Sequence, residues 1–236
     1  MNRFTRAIGV MVWFLIFSTS AVIPAQARTA SYLPAFSHPL QINNRYFPLV
    51  PGTTYVYEGT DEHKRSYEEF VVTARSKTVM GIETRVIRDT NWVNGKIVEQ
   101  TLDWFAQDDA GNVWYFGEYS TQYKNGKVIG HEGSWKAGVN GARPGIVMQG
   151  NPQVGDTYKQ ERAPGIAEDT ATVLSLNESL CVPLNCYSHV LKTKEFSPLE
   201  PDVIELKYYA PGIGLIKSML AEGGEEVSEL VKIIRR

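Results

Sequence analysis

One turn of the chain, Asp108-Asp109-Ala110-Gly111-Asn112, concentrates oxygen-bearing side chains that could bind a metal ion. Ca²⁺ prefers closely spaced oxygen ligands on a flexible loop, and a glycine permits the necessary bend. Asp108 and Asp109 are therefore the candidate metal ligands. A tight hairpin requires the same residue types, and the EF-hand spacing is absent, so a turn is favoured over a Ca²⁺ site and no cofactor is predicted. The carboxylates that could join them, if the sheet brought them together, are Asp103, Glu118 and Glu132.

Signatures of the common catalytic centres are absent from the sequence. It contains no Gly-x-Ser-x-Gly turn and no phosphate-binding glycine loop. His131-Glu132 is not followed by a second histidine at the spacing of a zinc-protease helix. Paired carboxylates for glycoside cleavage stay open, because 26 acidic residues make such pairs common. We expect a non-enzymatic protein, with a carboxylate-based, Ca²⁺-dependent hydrolase as the alternative and a structural interaction module as a further one.

Aromatic residues make up 11% of the chain and crowd its first half. The segments 102–106 and 113–119 carry rings at alternate positions on both faces of the predicted strands. Burial against the rest of the chain explains such a pattern and is favoured. The other interpretation is a concave, ring-lined surface for an apolar ligand. The candidate ligand-binding residues are Trp104, Trp114, Phe116 and Tyr119.

Hydrophobic periodicity and turn residues predict an all-β fold. Residues 97–106 and 204–208 alternate with a period of two, which is typical of antiparallel sheets with one buried face. Asn94-Gly95 and Asn125-Gly126 are strong hairpin signals, because type I′ turns need positive φ angles. Strands are expected near 83–93, 96–106, 112–123 and 127–135. The predicted architecture is a curved antiparallel meander built from two related halves, half-barrel or sandwich-like.

The two halves are indicated by an internal repeat. Pro51-Gly52-Thr53-Thr54-Tyr55 resembles Val154-Gly155-Asp156-Thr157-Tyr158, and Trp104-Phe105-Ala106 resembles Tyr208-Tyr209-Ala210. The matched segments occur in the same order at a nearly constant offset, which favours a duplication over a chance likeness of two meanders. We expect a single β domain over 46–236, with halves at about 46–135 and 152–236 sharing one core and a connector at 136–151. Residues 28–45 are predicted to be a flexible lead-in.

The first 27 residues have the features of a secretory signal peptide. Arg3 and Arg6 precede an apolar run, and Ala25-Gln26-Ala27 is a cleavage motif. The run is short for a membrane span, so cleavage after Ala27 is favoured over an uncleaved anchor. The residue directly after the cleavage site is not a cysteine, so a lipoprotein is not expected. The protein is predicted to be periplasmic or extracellular, with no transmembrane segment after cleavage.

The two cysteines of the chain, Cys181 and Cys186, are separated by four residues that include Pro183 and Asn185. In an oxidising compartment two nearby cysteines normally pair. A structural disulfide across a hairpin is favoured over a redox-active pair, which usually has two intervening residues.

The charge balance of the chain argues against a nucleic-acid partner. The chain has 24 basic and 26 acidic residues, so it lacks the basic surface that nucleic acids require. The partners expected are an apolar small molecule or another component of the cell envelope.

Four segments together resemble a family of exported bacterial β-sheet proteins for which no activity is assigned. The resemblance covers roughly residues 46–220 and implies an exported β protein, but it brings no catalytic residues. The opening strand is also similar to that of envelope proteins built on curved antiparallel sheets, such as carriers of lipoproteins, which is a likeness of fold alone. The segments are Tyr46–Gly59, Asp103–Asp108, Asn112–Glu118 and Lys207–Gly214.

Overall fold

The computed structural model describes residues 33–236, so the predicted signal peptide and its cleavage site lie outside the described residues. The prediction of an all-β fold is confirmed. A search of the described residues finds no helix with the length and apolar character needed to span a membrane. The strands are β1 (Thr53–Asp61), β2 (Lys64–Val79), β3 (Ile82–Val93), β4 (Lys96–Gln107), β5 (Val113–Lys124), β6 (Lys127–Gly130), β7 (Trp135–Lys136), β8 (Arg143–Met148), β9 (Thr157–Lys159), β10 (Glu161–Arg162), β11 (Thr170–Cys181), β12 (Cys186–Ser197), β13 (Glu200–Ala210), β14 (Gly214–Glu222) and β15 (Glu226–Arg235).

The strands form one antiparallel sheet in the order β10-β8-β5-β4-β3-β2-β1-β15-β14-β13-β12-β11-β9, with β6 and β7 paired to β5 beside this path. Its two ends, β9 and β10, are separated in the chain only by Gln160. The absence of a side chain at Gly145 in β8 leaves room for the Gln160 carbonyl at this junction. The sheet therefore curls until its ends meet, and it encloses an interior lined by many strands.

Hairpin turns lie where the Asn-Gly pairs predict them. Asn94 and Gly95 have φ angles of 50° and 72°, and Asn125 and Gly126 have φ angles of 52° and 74°. Two successive positive φ angles match the right-handed twist of the flanking strands. These turns fix the register of β3 with β4 and of β5 with β6.

The two matched segments of the repeat have the same local geometry. The Gly52 and Gly155 amides each donate a 2.9 Å hydrogen bond, to the Val72 and Val173 carbonyls respectively. Both glycines have a left-handed φ, and each turn leads into an antiparallel strand pair, β1 with β2 and β9 with β11. The boundaries of the two halves and their common origin stay a prediction.

The predicted connector and the strand before it differ from the structure. β6 ends at Gly130, so the strand expected over 127–135 is shorter, and β8 lies within the expected connector and pairs with β5. The connector is rich in glycine and proline, which are rare in strands, so the sequence did not predict β8. Gly145 is required there by the close approach of the Gln160 backbone, not by a turn.

Residues 34–45 lie against the sheet instead of forming a free lead-in. Phe36 contacts the rings of Trp114 and Phe116, and Ile42 is buried. The Asn44 side-chain amide donates 2.9 Å hydrogen bonds to the carbonyls of two other segments. The segment packs because the apolar face of β5 must be covered.

The predicted disulfide joins Cys181 and Cys186 at the tip of the β11–β12 hairpin. The two residues are register partners at the last position of the ladder. The bond therefore closes a short loop between adjacent strands.

Candidate functional site

The two predicted metal ligands have protein partners: Asp108 binds its own turn, and Asp109 binds the segment that precedes β1. Asp108 is buried and accepts 2.8 Å hydrogen bonds from the Asn112 amide, the Asn112 side chain and the Trp114 indole. Asp109 accepts 2.7 Å hydrogen bonds from the Ser37 amide and hydroxyl, which lower the pKa of its carboxyl. Among residues 33–236, no group of three or more His, Cys, Asp or Glu side chains is arranged to hold a metal ion.

The four predicted ligand-binding rings are divided between two environments. Trp114 and Phe116 pack beneath Phe36, with ring centroids 6.3 and 5.9 Å away, and Phe116 is fully buried. Phe116 belongs to the core, whereas Trp114 is half-buried. Trp104 and Tyr119 instead line a cavity, Trp104 with 4% of its surface exposed and Tyr119 with 46%.

This cavity, which we name the Trp104 groove, has a volume of about 320 Å³. Strands β4, β5 and β7 supply its ring walls, and the segments that follow β7 and β10 supply its aliphatic walls. Gly138 is held close to the Met80 side chain, which fixes the segment after β7 against the β2–β3 turn. The apolar side chains of the groove are Trp104, Tyr119, Trp135, Val139, Ala142, Ala163, Pro164 and Ile166.

Two lysines give the Trp104 groove a positive charge. Lys77 lies with its Nζ 3.3 Å from the centroid of the Trp104 ring, and Lys136 also lines the groove. Burial and then the charge of Lys136 lower the pKa of Lys77. No ion pair found within the described residues involves either lysine.

The carboxyl group in the groove does not oppose this charge at neutral pH. Glu118 has a pKa raised to about 9, first by burial and then by the charges of Asp103 and Glu161. A carboxyl group with that pKa is protonated at pH 7. The Trp104 groove therefore combines an apolar wall with two unpaired cations.

A second cavity, which we name the interior acidic cavity, lies inside the curled sheet and has a volume of about 310 Å³. A neighbouring space of about 400 Å³ shares four lining carboxylates with this cavity, so the two spaces adjoin. Lys207 is the one basic residue among the lining residues. The carboxyl groups of this cavity are Glu68, Asp89, Glu161, Asp169, Glu195, Glu205 and Glu226.

Lys207 forms the ion pairs at the centre of the interior acidic cavity. Its Nζ lies 2.9 Å from Glu195 and 3.1 Å from Glu205. Burial alone would lower the pKa of Lys207, but the two carboxylates outweigh it and raise that pKa well above its usual value. Lys207 therefore stays charged in the interior and neutralises one carboxylate.

Two buried carboxylates, one on β4 and one on β12, are held in the same way. Asp103 accepts hydrogen bonds of 3.0 Å from Thr101 and 2.8 Å from the Tyr115 hydroxyl. Glu195 accepts from the threonine two positions earlier and from a tyrosine of the adjacent strand, through Thr193 and Tyr209. Burial raises the pKa of Asp103 to about 6 although both hydrogen bonds lower it.

The sequence interpretation missed this cavity, and the three carboxylates that it named do not line it. Asp103 and Glu118, named as oxygens that the sheet could bring together, are register partners on β4 and β5, whereas Glu132 is exposed elsewhere. Acidic residues alternating with rings on one strand face, as Glu68 does with Phe70, are the available signal. The pattern of a single strand does not show that the sheet curls around such residues.

Comparisons with known proteins give two similar solved structures. No protein-family model and no curated protein matches the chain. A protein from Bacteroides fragilis, provisionally described as exported and as having a YmcC-like fold, has 14% sequence identity and a TM-score of 0.48, with 81% of this chain and 100% of that chain covered. A protein from Parabacteroides distasonis, provisionally described as a lipoprotein, has 13% identity and a TM-score of 0.43, with 81% and 99% covered. The expectation that this protein carries no lipid anchor stays a prediction.

Proposed function

We propose that this is an exported, non-enzymatic binding protein whose Trp104 groove takes a small ligand with an apolar body and an anionic end. The observation that carries the proposal is the pairing of a ring-lined groove with two lysines that have no carboxylate partner. A groove of about 320 Å³ falls within the range of small-molecule sites. The rings would cover the apolar body, and the ammonium groups of Lys77 and Lys136 would bind the anion.

The buried environment of Glu118 supports an anionic ligand. A protonated carboxyl can donate a hydrogen bond to the anion, whereas an ionised one would repel it. Because its pKa is about 9, Glu118 is in the favourable form at neutral pH. The affinity should fall as the pH rises through that value.

Ligand charge provides a direct test of the groove. Decanoate and decylammonium have the same chain and opposite charges, so titration calorimetry with each separates the charge from the apolar contact. We expect decanoate to bind more tightly. Replacing both lysines, in the double variant Lys77→Gln/Lys136→Gln, should weaken decanoate about tenfold, because each exposed ion pair contributes up to about 1 kcal/mol.

The matched control is Lys124→Gln, which removes an exposed lysine outside the groove. This variant should bind decanoate as the unchanged protein does. Equal affinities for decanoate and decylammonium, or equal losses in the double variant and the control, would contradict the proposal.

A further inference from the structure

A pocket of about 390 Å³, which we name the junction pocket, lies where β8, β9 and β10 come together. The proposed function does not use this pocket, although Pro164 lines both it and the Trp104 groove. Its basic residues are Arg143 on β8, Lys159 on β9 and Arg162 on β10. Positive charge from three strands therefore converges at the closure of the sheet.

The two arginines of the junction pocket stand opposite each other in the sheet. Arg162 is the register partner of Arg143 in the antiparallel pair of β10 with β8. Side chains at directly opposite positions share one face of the sheet, with Cβ atoms about 4.5–5.5 Å apart, and like charges there are destabilising. An anion bound between the two guanidinium groups would remove this repulsion.

The side chains of Lys159 and Arg162 have no ionic or hydrogen-bonding partner within the described part of the chain. None of the ion pairs there involves either residue, and neither has a further interaction. Arg162 is half-buried, so its five N–H donors are partly removed from water without a protein acceptor. Such donors favour a bound acceptor, because leaving them unpaired costs free energy.

The two carboxyl groups that line the junction pocket do not neutralise its cations. Glu168 Oε1 accepts a 2.7 Å hydrogen bond from the Gly165 amide of its own turn. Glu161 Oε1 accepts a 3.4 Å hydrogen bond from the Trp135 indole, and burial and then the charge of Asp169 raise the pKa of Glu161 to about 8. At pH 7 most of the Glu161 carboxyl group is protonated. Three cations therefore face one ionised carboxylate.

The backbone around the junction pocket holds these cations in place. The amides of Gln160 and Glu161 donate hydrogen bonds of 2.8 and 3.2 Å to the Asp169 carbonyl. The Gln160 carbonyl also lies against Gly145 of β8, where a Cβ atom would collide with it. The segment that carries Lys159 and Arg162 is thus fixed on both sides. A preorganised set of donors binds an anion with a smaller loss of conformational entropy.

We propose that the junction pocket binds the phosphoryl group of a phosphate monoester. Each guanidinium group can donate two parallel hydrogen bonds to phosphate oxygens, and the lysine adds a point charge. A phosphate monoester carries a charge of about −1.5 to −2 at pH 7, so it matches three cations better than a single carboxylate does. This site goes beyond the proposed function, because it does not require the Trp104 groove to be occupied.

Glycerol 3-phosphate is the probe for this site, because it has no apolar body for the Trp104 groove. Glycerate, which has a similar size and a single negative charge, is the comparison. Titration calorimetry on the full exported chain should show glycerol 3-phosphate binding at least about tenfold more tightly than glycerate. Arg162→Gln should weaken glycerol 3-phosphate about tenfold, and Lys159→Gln about threefold because Lys159 is exposed.

The matched control is Arg75→Gln, which removes an exposed arginine outside the junction pocket and should leave the affinity unchanged. Absence of glycerol 3-phosphate binding at millimolar concentration, equal affinity for glycerate, or an affinity that Lys159→Gln does not change would each overturn the proposal. Because Lys159 is exposed, its replacement does not endanger folding, so a misfolded Arg162→Gln variant still leaves a decisive measurement.

Phosphate monoesters occur both as soluble molecules and as lipid head groups, and vesicles distinguish these two sources. If the protein that binds glycerol 3-phosphate also sediments with vesicles of phosphatidylcholine and phosphatidic acid, and Lys159→Gln sediments less, the ligand is a lipid head group. Binding of glycerol 3-phosphate without sedimentation assigns the site to a soluble ester, and either result supports a phosphoryl site. Decanoate binding depends on Lys77 and Lys136 instead, so the two proposals fail separately.

Discussion

At the scale of single residues, burial raises the pKa of a graded series of carboxyl groups. The values are about 6 for Asp103, 7 for Glu68, 8 for Glu161 and 9 for Glu118, and burial is the largest cause in each. A raised pKa means that the folded protein holds a proton that the unfolded chain has already released. The contribution to stability is therefore present at low pH and is lost as the pH rises through the folded-state pKa.

The replacement Glu118→Gln tests this effect. The amide cannot ionise, so the variant should avoid the cost that the carboxyl group incurs above about pH 5. We expect the variant to be more stable than the unchanged protein at pH 8 by about 1–3 kcal/mol. This corresponds to a melting temperature higher by roughly 3–8 °C, with little difference at pH 4.

Thermal unfolding followed by circular dichroism at the two pH values measures this difference. Glu132→Gln, at an exposed site, is the control and should have the same melting temperature as the unchanged protein at both. A Glu118→Gln variant that behaves like the control at pH 8 would show that Glu118 is ionised and solvated in the folded protein.

Sequence alone could identify some of these residues but not their environments. Trp104 and Tyr119 were predicted as ligand contacts and do line a groove, whereas Trp114 and Phe116 are covered by Phe36. The difference depends on where residues 34–45 lie, which no local pattern reveals. The lysines of the groove were missed because a lysine on a strand is usually a solvated side chain, and only the tertiary structure places Lys77 over an indole ring.

At the scale of elements, the contact between β1 and β15 joins the first and last strands of the domain. Gly59 lies in β1, and a Cβ atom there would collide with the backbone carbonyl of Val227 in β15. Gly59→Ala must therefore push the two strands apart. We expect it to destabilise the protein by about 1–3 kcal/mol and to lower the melting temperature by roughly 3–10 °C.

Gly130→Ala is the comparison for this substitution. A Cβ atom at Gly130 meets two side chains at ordinary contact distances, Gln122 at 3.5 Å and Glu132 at 4.0 Å. This variant should melt close to the unchanged protein. If the two alanine variants melt at the same temperature, the β1–β15 contact is not as close as described.

The hairpin of β11 and β12 carries the disulfide, and a count of free thiols shows directly whether this bond has formed. The bond between Cys181 and Cys186 should be present in the exported protein and stabilise it by up to about 2–3 kcal/mol. Thiol titration of the denatured, unreduced protein should detect no free thiol. Detection of two free thiols per chain would contradict this account.

At the scale of the whole molecule, the curling of the sheet forms both cavities. The Phe47 ring lies 5.5 Å from Phe105 on β4 and 6.5 Å from Tyr209 on β13. The sequence could predict the alternation and the hairpin turns, because these are local features. It could not predict that β9 and β10 meet, since that depends on the sum of strand twists along the entire sheet.

Native mass spectrometry of the protein purified from its own cell envelope tests the central claim most directly. The claim predicts that the unchanged protein carries a small apolar anion. The double variant Lys77→Gln/Lys136→Gln should lose this ligand, while Lys124→Gln should keep it. A protein that carries no such anion from its native source, or a ligand retained equally by the double variant, would contradict the assignment of the Trp104 groove as a binding site.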